Sequence, residues 1–246
     1  RLAIVFMGFK LSFAEIAGVG GDALVTISVA SMSTILFSVW LGMKMKIPFK
    51  RSILLGSGVS ICGASAVAAV DGVIRSKEED AAFAIGAITL LGTVFMLVYP
   101  LIYHATGMSD QTYALWSGSS IHEVAQVTAA GSAMNNTTWE ALASSVKMIR
   151  VLYIIPYTFM LLFFFRNESD HADDKGGGSR IMIPWFALFF FAAVVVNSLG
   201  IIPKAPTGVI VQADNLIMAA AMAGLGLDIS MRSILKIGKK AFILGV

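Results

Sequence analysis

Charge is the scarcest feature of this sequence. Asp, Glu, Lys and Arg make up 13% of its 246 residues, against roughly 25% in a soluble domain. So little charge cannot cover the surface of a soluble core of this size, and that excludes an ordinary globular enzyme or binding module. There is one cysteine, Cys62, which rules out an intrachain disulfide and any multi-cysteine metal site. No stretch resembles a phosphate-binding P-loop, which argues against ATP as the driving force. The net charge of +3 comes from short basic clusters between apolar runs, the pattern of membrane orientation signals and not of nucleic-acid binding.

Apolar residues dominate what is there. They account for 57% of the chain, and the mean hydropathy is +0.81. Runs near 20 residues long recur, each able to cross about 30 Å of hydrocarbon. The runs fall at about 22–42, 52–74, 81–103, 111–133, 139–165, 181–200 and 208–227. A hydrophilic, flexible loop is expected over 166–180, and 228–240 is basic again. These lengths predict an all-α, polytopic transmembrane helical bundle; a transmembrane barrel would show short alternating segments instead. We expect one integral membrane domain over 1–246, with about seven complete spans and partial ones at both ends, forming a fragment of a longer carrier.

If every run crosses once and 44–51 is cytoplasmic, that side collects Lys44, Lys46, Lys50, Arg51, Arg166, Lys175, Arg180, Arg232, Lys236, Lys239 and Lys240. The other side holds Lys10, Arg75, Lys77 and Lys204. This asymmetry favours single crossings over a re-entrant hairpin at 111–133, which would place 228–240 outside.

Two echoes suggest repeats. Ser57-Gly58-Val59-Ser60-Ile61 returns sixty residues later as Ser117-Gly118-Ser119-Ser120-Ile121. Gly8, Ser12, Ile16, Gly20 and Ala23 return as Gly226, Ser230, Ile234, Gly238 and Ala241. With single crossings the second pair is inverted and the first is not. Gly beside Ser in an apolar run lets a helix unwind, and the freed backbone groups can then bind a solute. The same small residues also serve close helix packing.

The chemistry concentrates in 117–131, SGSSIHEVAQVTAAG. On a continuous helix Ser119, His122, Glu123 and Gln126 share one face, expected to line a solute path. His122 and Glu123 are candidates for proton coupling, since His titrates near neutral pH. Ser57, Ser60, Ser117, Ser119, Ser120 and Gln126 are candidate solute ligands. Lys147 and Arg150, three residues apart in the fifth run, supply positive charge for an anion or pair with a carboxylate. HEVAQ resembles the start of the zinc motif H-E-x-x-H, but position 126 is Gln126, and no metal or cofactor is expected.

Five segments together resemble one family: SGVSICGASAVAA (57–69), SGSSIHEVAQVTAAG (117–131), KMIRVLYIIP (147–156), IPWFALFF (183–190) and AMAGLGLDIS (221–230). They are similar to the YeiH-like family of bacterial inner-membrane proteins, labelled sulfate exporters. The likeness covers essentially the whole chain. It implies a multi-pass inner-membrane protein, related to bile-acid and arsenite-type secondary carriers, with discontinuous helices and alternating access. The expected function is export of a small anion, of the sulfate or organic sulfonate class, coupled to protons or another ion. The partners are then that anion and the lipid bilayer, with homo-oligomerisation left open. An anion channel lined by the same residues, or an intramembrane hydrolase using His122 and Glu123, stand as alternatives to this non-enzymatic reading.

Overall fold

The computed structural model describes residues 5–6, 8–18, 21–171, 185–201, 208–214, 216–217 and 220. Among these residues the fold is all-α. A 3-10 turn at Gly8–Lys10 precedes α1 (Phe13–Gly18) and α2 (Gly21–Lys44). Then follow α3 (Phe49–Ser60), α4 (Ala64–Ile74), α5 (Glu78–Thr106), α6 (Asp110–Ser120), α7 (Val124–Gly131), α8 (Thr137–Leu152), α9 (Ile154–His171) and α10 (Trp185–Ser198). Residues 208–214 are helical as well. Among the described residues, three stretches are long and apolar enough to cross a membrane: Leu24–Lys44, Glu78–Thr106 and Thr137–Phe165.

The last of these joins α8 and α9 across Tyr153. Pro156 falls in the first turn of α9, where a missing N–H costs nothing. α9 continues to His171, so 166–171 of the expected loop is helical, and the remainder of it lies outside the described residues. The basic stretch 228–240 and the echo at 226–241 also lie outside them.

The runs at 52–74 and 111–133 do not cross the membrane. Each is two short helices folded back on themselves. Arg51, in the first turn of α3, pairs with Asp80 in the first turn of α5 at 2.5 Å. A Cβ on Gly58 would meet Ile88. α3 therefore runs parallel to α5, and α4, joined to α5 through 75–77, runs antiparallel to both. In the second run the Tyr113 hydroxyl donates to the Ala130 carbonyl at 3.0 Å, tying the start of α6 to the end of α7. α6 lies parallel to α8, since Gly118 abuts Ala143 and Val146 while Arg150 reaches Ser119. α7 lies antiparallel to α8, with Gly131 against Glu140 and Thr128 against Ser144. At 1.5 Å per residue the 12 residues of α3 extend only ~18 Å, about half the hydrocarbon thickness.

The two hairpins insert from opposite faces, because α5 separates them with one crossing. The 60-residue echo is therefore an inverted repeat, a hairpin followed by a long helix. Both hairpins use the same bonds. Ser57 Oγ donates to Leu54 O and Ser117 Oγ to Ala114 O; Ser60 Oγ donates to Gly56 O and Ser120 Oγ to Trp116 O. The first helix ends at Ile61 in one hairpin and at Ile121 in the other, each N–H returning to the carbonyl four residues back at 3.0 Å.

The hairpins also move Arg75 and Lys77 to the face that carries Lys44, Lys46, Lys50 and Arg51. On the other face the connectors 107–109 and 132–136 contain no Lys or Arg, which leaves Lys10 and Lys204 of the sequence count for that side. This asymmetry is sharper than single crossings give, and it assigns the first face to the cytoplasm. On the outer surface of the bundle, α2 presents Val25, Val29, Met32, Leu36, Phe37, Trp40 and Met43, each about half exposed or more. Such a face suits lipid.

Candidate functional site

The hairpin tips meet in the interior, and helix ends with unused backbone groups meet with them. The last carbonyls of a helix and its first N–H groups have no partner within it. At this junction charged side chains supply those partners. Arg150, on α8 and 4% exposed, donates from Nε to Ser60 O at 2.9 Å and from Nη2 to Val59 O at 2.8 Å and Ser60 O at 2.5 Å. Its Nη1 donates to Ser119 O. One guanidinium thus serves the C-terminal ends of both α3 and α6. Each end carries about half a negative charge, so two together match one cation. Counted from Thr137, Arg150 is ~20 Å along α8, too deep to snorkel.

Glu123 completes the opposite pairing. It is 2% exposed, and its Oε1 accepts from the Ala64 N–H at 2.9 Å. A carboxylate at a helix N-terminus is favourably placed, because the dipole there is positive. Gly63 makes room for it: φ is +74°, and a Cβ would lie 2.6 Å from Glu123 Oε1. Gly63 and Glu123 occupy equivalent positions of the repeat, sixty residues apart, and so do Val59 and Ser119. Equivalent residues of two inverted repeats touch only near the axis that relates them. The Gly63–Glu123 contact and the guanidinium shared by Val59 and Ser119 therefore mark a pseudo-two-fold axis.

Lys147 stands apart from this balance. It is fully buried. Among the described residues its Nζ has no hydrogen-bond partner. Its charged neighbours are Arg150 and Glu123, and the neutral Cys62 thiol lies near it as well. A buried ammonium with unused donors is costly, and such a group calls for an explanation.

The other sequence candidates divide. Ser60, Ser119, Glu123, Lys147 and Arg150 gather at the junction, where the two serines contribute their carbonyls. The hydroxyls of Ser57, Ser60, Ser117, Ser119 and Ser120 all donate back into their own helices, so their protons are already engaged. The common face expected for Ser119, His122, Glu123 and Gln126 does not form, because the helix ends at Ser120 and restarts at Val124. His122, 1% exposed, stacks on Phe95 of α5 with ring centroids 5.5 Å apart. Gln126 donates to Thr89 O and Thr93 Oγ1, both at 3.3 Å, over Gly92 of α5. Two participants escaped the sequence reading: the Val59 carbonyl and Gly63. The repeat offset could have found Gly63, as the partner position of Glu123.

Comparison with known proteins places the chain among membrane proteins. The family model described as conserved hypothetical protein 698 matches residues 1–245. A UPF0324 membrane protein of Bacillus cereus is 35% identical over 246 residues, covering 100% of this chain and 72% of that protein. A UPF0324 membrane protein of Pasteurella multocida is 35% identical over 248 residues, covering 100% and 72%. The UPF0324 inner membrane protein YeiH of Escherichia coli K12 is 34% identical over 249 residues, covering 100% and 70%. No solved structure matches.

Proposed function

The chain belongs to the conserved hypothetical protein 698 family of UPF0324 membrane proteins, and on that premise we propose that it is a secondary carrier exporting a small anion across the bacterial inner membrane. The observation that carries this reading is the buried Lys147 ammonium, with no hydrogen-bond partner among the described residues, where two oppositely inserted hairpins meet. Arg150 is offset by two helix C-termini and Glu123 faces a helix N-terminus, so Lys147 is the charge left over. An anion of the sulfate or organic sulfonate class would supply the missing acceptors. Hairpins opening to opposite faces would give the two gates that alternating access requires. Glu123, beside Lys147 and at the α4 terminus, would couple proton binding to anion binding, with His122 next to it in the chain.

The test is counterflow in proteoliposomes with labelled sulfate, against sulfite, sulfonates and carboxylates as competitors, at two pH values. Saturable counterflow blocked by one of these anions is the expected result. Folded protein that gives no counterflow with any of them would remove the carrier reading. Unsaturable flux without counterflow would point to the anion channel.

A further inference from the structure

We infer that the carbonyls of Val59, Ser60 and Ser119 form a site for one monovalent cation, which the chain fills with its own Arg150 guanidinium. Three carbonyl oxygens from two helix C-termini converge there, and all three accept from the same side chain. Without a cation, two negative helix ends would face each other in a dry interior, where charges are weakly screened. Unwound carbonyls and helix C-terminal ends are also the groups that bind coupling cations in carriers. Here the cation is tethered, so the junction needs no dissolved ion to hold the tips together. The site lies on the pseudo-two-fold axis, so one arginine serves both hairpins, and the repeat needs no second. Arg150 is on this account a positioning residue, and the inference stands whatever the solute is.

Arg150→Ala should open the site. Its purified protein is expected to melt lower than wild type by on the order of 10 °C. Guanidinium or methylguanidinium at low millimolar concentration, far below denaturing levels, should restore most of that loss, relative to choline at equal ionic strength. Sodium, smaller and spherical, is expected to restore less. Wild-type melting should not respond to any of them. Arg150→Met keeps the bulk without the charge, and Arg150→Lys keeps the charge with a different shape. Arg150→Lys is expected to melt above Arg150→Met, and these two decide the matter if the alanine variant does not fold. An alanine variant that melts alike in every salt, or a Met variant as stable as the Lys variant, would overturn the inference.

Discussion

The two hairpins are built alike and end differently. The first tip is cushioned by Gly63; the second carries Glu123 at the equivalent position. The first offers bare backbone, two carbonyls and an N–H, and the second brings a carboxylate to that N–H. An exact copy would fail in either direction. Two glycines would leave the Ala64 N–H without its partner, and two glutamates would collide on the axis. Divergence at one pair of positions turns a symmetric contact into a lock. The long helices diverge in the same way, since only α8 carries the cations Lys147 and Arg150.

The harshest test of that lock is Gly63→Val. A β-branched residue at φ +74° is strained, and its side chain would displace Glu123 from Ala64. The combined cost should be about 3–5 kcal/mol, seen as a large fall in melting temperature or loss of folded protein. A Gly63→Val protein that melts like wild type would mean the lock does not form.

The packing glycines of the two hairpins should respond unequally. A Cβ on Gly118 meets the Ala143 carbonyl, which is backbone of α8, whereas a Cβ on Gly58 meets the Ile88 side-chain end. Gly118→Ala should cost about 2–3 kcal/mol and Gly58→Ala about 1 kcal/mol less. Equal melting shifts would say that both neighbours yield to the same degree.

Lys147→Met separates stability from function. Lys147 Nζ has no hydrogen-bond partner among the described residues, so replacing this buried ammonium by an apolar chain of similar length should raise stability by about 1 kcal/mol or more. The same change should abolish anion counterflow. A variant that is more stable and still transports would move the anion away from Lys147. A further test lies at the mouth of the first hairpin. Asp80 is buried and Arg51 only partly exposed, so Asp80→Asn should cost about 1–3 kcal/mol, read as a lower melting temperature that added salt changes little.

Much of this was legible in the sequence. Low charge and 20-residue runs announced a membrane bundle. The SGxSI echo marked the two segments in which the helices break, at Ser60 and Ser120, although the sequence alone still reads the second as one helix running on through 126. The spacing of Lys147 and Arg150 put both on the buried face of α8. Whether a broken run crosses or returns was not legible. An apolar stretch of about 20 residues has the same hydropathy either way, and only distant contacts, Arg51 to Asp80 and Tyr113 to Ala130, distinguish the two. The charge count was then misled by Arg75 and Lys77, which the crossing pattern sent to the wrong face. The separate fates of Lys147 and Arg150 were hidden too, because the partners of Arg150 are backbone carbonyls, which no residue type reveals. The second break lacks a glycine or proline at 121–123; the contacts of Ser119 and Glu123 account for it.

Cys62 has one more use. It is the one cysteine of this chain, 2% exposed, and it sits at the first hairpin tip beside Lys147 and Glu123. This chain therefore already carries a single-thiol reporter at the point where the two hairpins meet. On the carrier reading, an impermeant maleimide applied from one face and then the other should label Cys62 only in the state open to that face, which times each state without a mutation in this chain.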